Sequence, residues 1–122
     1  MITITTFQWV PPFAQGLVRD LRVRWALEEA GLPYRIKTIG LGDNDLAEYR
    51  AIQPWGQVPV IEEEGLTLFE TGAILLHIAE RSTALSPTDP AGRAKVAQWI
   101  CAALNSVEPH IQNLVSIYLF YA

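Results

Sequence analysis

Cysteine is scarce in this 122-residue chain, and its scarcity limits the possible chemistry. Cys101 is the single cysteine, so no disulfide can form within the chain, and there is no Cys-x-x-Cys motif for thiol–disulfide exchange. One unpaired cysteine fits a reducing compartment, and we expect a cytoplasmic protein. Cys101 lies within a predicted helix beside Trp99 and Ile100, where we expect a buried, inert thiol.

Basic clusters and long apolar runs are also missing from the sequence. The formal net charge is -4, without a Lys/Arg cluster, so there is no basic patch for nucleic acid. No run approaches the roughly 20 apolar residues of a membrane span. The N-terminus has no signal-peptide pattern, and isolated His77 and His110 are too few to hold a metal ion. We therefore expect no nucleic-acid, membrane or metal partner.

Half of the residues are apolar and 18% are charged, as in folded soluble proteins. Apolar residues that alternate with polar ones predict strands, and apolar residues three to four positions apart predict helices. The Glu62–Glu64 run is expected to lie in a solvated turn, and the four tryptophans are expected to be core or boundary anchors. The predicted strands are 2–6, 34–38, 58–61 and 66–69. The predicted helices are 17–30, 43–52, 70–81 and a long one from about residue 90 to the high 110s.

Capping and breaking residues set the boundaries of the predicted helices. Gly31 ends the first helix, and a polar residue within 43–45 is expected to cap the second. Asp89-Pro90 is a typical start for the last helix, because Asp caps it and Pro fits its first position. Pro109 is expected to kink that helix.

The predicted element order is β-α-β-α-β-β-α followed by a long helix. A strand–helix–strand unit makes its strands parallel, and a closing hairpin is antiparallel. This arrangement predicts a thioredoxin-like α/β fold. We expect a first domain over 1–82, and a linker and the start of an all-α domain over 83–122.

Val58-Pro59 begins the third predicted strand. A proline there removes a donor from the strand ladder, so its presence needs a reason. In thioredoxin-like folds the reason is a cis peptide, which turns the backbone of the preceding residue toward an extended ligand. The alternative is an ordinary trans proline at a sheet edge.

Glu70-Thr71 begins the helix after the fourth predicted strand. Free N–H groups and the positive end of the helix dipole make this a natural place for a ligand carboxylate. The Thr71 hydroxyl adds a donor, and the Glu70 carboxylate can pair with a ligand ammonium. A γ-glutamyl group carries both charges on one carbon. The alternative is that Thr71 only caps its own helix.

Two segments together resemble a known family. Gln53–Ile61 and Leu66–Glu80 resemble the glutathione-binding segment of glutathione S-transferases, and Arg22–Tyr34 resembles that family's first helix and second strand. The similarity covers about residues 1–82. The long helix from Asp89 resembles the first helix of the family's all-helical second domain.

The resemblance implies specific roles. Val58 would pair with the cysteinyl backbone of glutathione, and Pro59 would be cis. Glu70 and Thr71 would hold the γ-glutamyl end, with Gln57 beside the same site. Glutathione would be the co-substrate and a small electrophile the second substrate. The resemblance also implies a homodimer and a role in detoxification.

The group that would activate the glutathione thiol is not evident. The family usually places a Tyr, Ser or Cys near the first helix, but the matching positions fall near Phe13 and Leu17, which have no hydroxyl. Trp9 and Arg19 remain as candidates, each with a surface or packing role as the alternative. The catalytic residue is therefore left unassigned.

The length of the chain leaves three functions open. Family enzymes have several helices after the long one, whereas this sequence ends on the apolar run 117–122, so we expect a part of a longer protein. The first hypothesis is a glutathione transferase. The second is a non-catalytic module that binds glutathione or a protein partner. The third is isomerase, dehalogenase or peroxidase chemistry on the same fold.

Overall fold

The computed structural model describes residues 1–121 and divides the chain into two compact units, Met1–Leu85 and Ser86 onward. The first unit combines a four-stranded sheet with three α-helices and two short 3-10 helices, Pro12–Ala14 and Asp43–Asp45. Its strands are β1 (Ile2–Phe7), β2 (Tyr34–Ile39), β3 (Val60–Glu63) and β4 (Leu66–Leu68). Its helices are α1 (Asp20–Ala30), α2 (Ala47–Arg50) and α3 (Thr71–Ala79).

The sheet has the order β2-β1-β3-β4. β1 pairs with β2 in parallel, and it pairs with β3 in the antiparallel sense through contacts such as Thr5 with Val60. β3 and β4 form an antiparallel hairpin in which Ile61 lies opposite Leu68. The predicted parallel β1–β2 pair and antiparallel hairpin are both confirmed.

Two apolar clusters hold the first unit together. The larger joins the sheet to α1 and α3, and its buried residues are Ile2, Ile4, Val23, Leu27, Ile61, Ile74 and Ile78. The smaller includes α2 and the segment before β3, and its buried residues are Tyr49, Val58 and Val60. Side chains alternate between the two faces of a strand, so neighbouring Val60 and Ile61 enter different clusters.

The second unit is helical from α4 (Pro90–Cys101) through a π-helical segment (Ala102–Val107) to α5 (Glu108–Phe120). Asp89 caps α4 by accepting a hydrogen bond from the N–H of Gly92 at 2.8 Å, as predicted. The regular helix is interrupted immediately before Pro109. A proline has no N–H to donate to the carbonyl four residues earlier, which accounts for an irregular turn at this place.

Several predicted boundaries differ from the structure. α1 begins at Asp20 instead of residue 17, because Gly16 has φ 76° and the residues after it form irregular turns. β3 begins at Val60, two residues later than predicted. The Asx side chains at 43 and 44 bond the N–H groups of Gly40 and Gly42 within the loop, and Leu46, without a side-chain cap, precedes α2.

Three expectations about burial are wrong. Glu62 and Glu63 lie in β3 instead of a turn, and the Glu63 side chain is only 11% exposed, in contact with Arg81 and His77, whereas Glu64 lies in the exposed turn as predicted. Cys101 is exposed, because it lies on an uncovered face of α4. All four tryptophans are exposed, so they do not anchor the core; they are Trp9, Trp25, Trp55 and Trp99.

None of the helices within residues 1–121 combines the length and the apolar character that a membrane-spanning helix requires.

Candidate functional site

One end of the sheet brings the predicted site segments together. Beyond the Ile61–Leu68 pair, the next positions of the β3–β4 hairpin lead from Val60 back to Pro59 and from Phe69 on to Glu70. Phe69 packs against the cluster that contains Val58 and Val60. Phe7 and Ile39, the last residues of β1 and β2, pack against the same cluster. The site therefore lies where β1 and β2 end and where β3 begins.

Val58 presents an unpaired backbone at this end. It lies outside β3, its side chain is buried, and its peptide bond to Pro59 is cis. Among residues 1–121, neither the N–H nor the C=O of Val58 takes part in a hydrogen bond. Backbone donors and acceptors are normally paired in folded proteins. An extended ligand can pair with both groups, as an added strand would.

The first turn of α3 lies beside this backbone. Thr71 is the first residue of the helix and is buried, and Glu70 before it is exposed with φ 70°. No side chain caps this end of α3. Thr71 therefore does not act as the cap of its own helix. The uncapped N–H groups and the helix dipole favour an anion here.

Two residues outside the predicted site, Tyr49 and Gln53, hold the loop before Val58. Gln57 is exposed, and its carbonyl oxygen accepts a hydrogen bond of 2.6 Å from the hydroxyl of Tyr49. Gln53 is buried, and its side-chain oxygen accepts a bond from the N–H of Trp55 at 2.7 Å. No residue pattern marks Tyr49 in the sequence, because its partner is a backbone carbonyl and every residue supplies one.

Burial raises the pKa of Tyr49 to about 12, and the negative charge of Glu62 adds to this effect. The phenol therefore remains protonated at neutral pH. It keeps the proton that it donates to the carbonyl of Gln57.

The candidates for thiol activation lie at the start of the loop and helix that follow β1. Trp9 is exposed two residues after β1 ends, and Arg19 is half-buried next to Val18, which packs against the Val58 cluster. Phe13 and Leu17, near which the resemblance predicts the family's hydroxyl, are 60% and 78% exposed. Neither side chain can donate a hydrogen bond to a sulfur atom.

The family assignment follows from a match to known sequences. The model of the glutathione S-transferase N-terminal domain matches residues 5–80, which is more than half of the chain. The chain therefore belongs to the glutathione S-transferase family. The predicted resemblance is confirmed, and the four-stranded sheet with its helices is the thioredoxin-like N-terminal fold of that family.

Relatives within the family differ in their named activities. The chain is 36% identical over 100 residues to probable maleylacetoacetate isomerase 2 from Drosophila melanogaster, covering 77% of this chain and 44% of that protein. It is 34% identical over 92 residues to the disulfide-bond oxidoreductase YfcG of Escherichia coli, covering 68% of this chain and 43% of that protein.

A solved structure of a glutathione S-transferase also matches this chain. The theta class glutathione S-transferase of Xanthomonas axonopodis pv. citri, with glutathione bound, matches with a TM-score of 0.75 and 31% identity. The match covers 94% of this chain and 54% of that chain. The chain thus spans about half the length of the proteins it matches, or less.

Proposed function

We propose that this chain binds glutathione and forms the glutathione site of a transferase that conjugates it to small electrophiles. The unpaired N–H and C=O of Val58, next to the uncapped start of α3, carry this proposal. Glutathione has an extended peptide backbone for the first feature and a γ-glutamyl carboxylate for the second. The bound glutathione in the Xanthomonas relative supports the assignment.

Five residues would make the site. Val58 pairs with the cysteinyl backbone, and Pro59 sets the turn that leads into β3. The carboxylate of Glu70 pairs with the γ-glutamyl ammonium, while the hydroxyl of Thr71 and the N–H groups of α3 bind its carboxylate. Gln57 is exposed directly before Val58 and lies beside the ligand.

The transfer step requires a thiolate. The thiol proton passes to solvent, the sulfur forms a bond to the electrophilic carbon, and the leaving group departs with its electron pair. Arg19 is the preferred candidate to stabilise the thiolate, by its positive charge, and Trp9 is the second, as an N–H donor. Titration of the bound thiol by its ultraviolet absorbance, in Arg19→Gln and Trp9→Phe, tests both. A thiol pKa that neither change raises would remove both candidates.

The second candidate function is a glutathione-binding module without transferase activity. The lack of a hydroxyl on Phe13 and Leu17, near which the resemblance predicts the activating group, favours this alternative. Retention on immobilised glutathione, followed by a transferase assay with a generic aromatic halide, separates the two. Turnover supports the transferase, and retention without turnover supports the binding module. Absence of retention by the folded chain would overturn both.

We also propose how the chain is organised and where it acts. The glutathione-binding domain covers 1–82, and residues 83–122 are the linker and the start of an all-α domain; the two compact units support this division. Exposed apolar side chains on α5, among them Ile117 and Phe120, support a homodimer. Sedimentation equilibrium tests for the dimer. A cytoplasmic, detoxifying role is consistent with the single cysteine and the family.

A further inference from the structure

The loop that leads to Val58 is held by side chains from one neighbouring segment. Three carbonyl oxygens within residues 54–57 accept hydrogen bonds from side chains within residues 44–50, and we refer to these three bonds as the carbonyl bracket. The three bonds run from Asn44 Nδ2 to Gly56 O at 2.9 Å, from Tyr49 Oη to Gln57 O at 2.6 Å, and from Arg50 Nη1 to Pro54 O at 2.9 Å.

The bond from Tyr49 acts on the peptide group that contains the N–H of Val58. The carbonyl of Gln57 and the N–H of Val58 belong to one planar peptide, and this peptide is trans. In a trans peptide the C=O and the N–H point in opposite directions. Because the carbonyl of Gln57 points at the hydroxyl of Tyr49, the N–H of Val58 is directed away from α2.

The carbonyl bracket does more than satisfy the loop carbonyls, because it also fixes the orientation of their peptide groups. Water can satisfy a loop carbonyl nearly as well as a side chain does. A buried side chain also fixes the direction of the bond, since its own rotamer is fixed by packing. Tyr49 is 7% exposed and packs in one cluster with Val58 and Val60, so its ring is fixed by packing.

We propose that Tyr49, supported by Asn44, is a positioning residue that aims the N–H of Val58 at the cysteinyl carbonyl of glutathione. This inference depends on the proposed glutathione site. A backbone donor that already has its bound orientation loses less freedom on binding, so the affinity for glutathione rises without a direct contact between Tyr49 and the ligand.

The test compares two Tyr→Phe variants of the 122-residue chain. Tyr49→Phe removes the hydroxyl and keeps the ring. The control, Tyr34→Phe, removes a hydroxyl that also donates a hydrogen bond, but to the side-chain carboxylate of Glu28, at 2.9 Å on the surface. Isothermal titration with S-methylglutathione, well below the unfolding temperature, should show about five- to tenfold weaker binding for Tyr49→Phe. The control should bind within about twofold of the unmodified chain.

A second ligand separates positioning from a general loss of structure. In an (E)-alkene isostere of the cysteinyl–glycine peptide, the carbonyl that would accept from Val58 is absent. If Tyr49 acts through that bond, Tyr49→Phe and the unmodified chain should bind the isostere equally. The same five- to tenfold loss with both ligands would overturn the positioning role.

The outcomes also separate this inference from the proposed function. If the unmodified chain binds S-methylglutathione and Tyr49→Phe binds it equally well, the positioning role is wrong and the glutathione site stands. If the folded, unmodified chain does not bind S-methylglutathione, both are overturned. Asn44→Ala, expected to weaken binding by a smaller factor, provides a second variant if Tyr49→Phe lowers the unfolding temperature strongly.

Discussion

The carbonyl oxygen of Glu70 accepts a hydrogen bond of 3.0 Å from the N–H of Ile74, although the backbone of Glu70 has φ 70° and ψ 113°. A residue with a side chain rarely adopts such a φ, and strain of this kind costs about 1–3 kcal/mol. The strained conformation places the Glu70 carboxylate directly before the first turn of α3. That is the place proposed for the γ-glutamyl ammonium.

Glu70→Gly should therefore raise stability and lower affinity. Glycine adopts a positive φ without strain, so we expect the free energy of unfolding to rise by about 1 kcal/mol. Loss of the carboxylate removes a charge-assisted hydrogen bond, so the Kd for glutathione should rise about tenfold or more. Denaturant unfolding and calorimetry measure the two effects.

Glu64→Gly is the matched control for Glu70→Gly. Glu64 also has a positive φ, 49°, but it lies in the turn between β3 and β4, at the opposite end of the hairpin from Glu70. We expect an unchanged or higher stability and an unchanged Kd for glutathione. An equal loss of affinity in both variants would contradict the role of Glu70.

Thr71→Ala should weaken glutathione binding by about 1–3 kcal/mol, because a hydrogen bond to a charged carboxylate is left unmade. Thr71→Ser keeps the hydroxyl and should retain most of the affinity. Thr67→Ala, at an exposed position of β4, should leave the affinity unchanged. Calorimetry on the three variants checks this. Unchanged affinity in Thr71→Ala would show that the γ-glutamyl end binds elsewhere.

Gly56→Ala should destabilise the chain more than Gly65→Ala does. Both glycines have a positive φ, 64° and 83°, so each substitution strains the backbone by about 1 kcal/mol. A Cβ at Gly56 would also lie 2.8 Å from Arg50 Nη2 and 2.9 Å from the carbonyl oxygen of Asn44, whereas a Cβ at Gly65 meets nothing within 4 Å. Equal losses of unfolding free energy would contradict the tight packing at Gly56.

Glu63 should make stability depend on pH in the acid range. The hydrogen bond from Arg81 holds the pKa of Glu63 below its ordinary value of 4.5, and the positive charge of Arg81 and the contact with His77 add to this. A carboxyl whose pKa is lower in the folded state than in the unfolded state stabilises the fold above the unfolded value. That contribution is lost as the pH falls through the folded value.

We therefore expect Glu63→Gln to lower the free energy of unfolding at pH 7 by about 0.5–1 kcal/mol, the range of a partly exposed ion pair. The gap between the variant and the unmodified chain should close as the pH falls below 4.5. Glu48→Gln, at an exposed position of α2, serves as the control. A gap that stays constant from pH 7 to acid pH would rule out this electrostatic contribution.

The order of the elements could be read from the sequence because local patterns determine it. Alternation in Ile2–Thr5 and the glycine at 31 define β1 and the end of α1 without knowledge of the tertiary structure. The predicted ends of helices and strands are less accurate where the backbone departs from a regular pattern. The strand predicted from residue 58 begins at Val60, after the cis peptide, and the helix predicted from residue 17 begins after the irregular turns that follow Gly16.

The sequence predicts the two residue pairs of the candidate site but not the side chain that supports them. Val58-Pro59 and Glu70-Thr71 stand out as residue pairs, and the hairpin brings them to the same end of the sheet. Tyr49 gave no such signal, because its partner is a backbone carbonyl and any residue supplies one. The exposure of Cys101 depends on which face of α4 is covered, and a lone cysteine in a helical pattern does not specify that.

Titration of the 122-residue chain with glutathione, followed by amide resonances in a nitrogen–proton NMR spectrum, tests the central claim most directly. We expect saturable shifts largest at the N–H groups of Val58, Thr71 and Gly72, with much smaller shifts in β2. Thr71→Ala should need a higher glutathione concentration for the same shifts. A folded chain whose Val58 and Thr71 resonances do not move at millimolar glutathione would contradict the glutathione site.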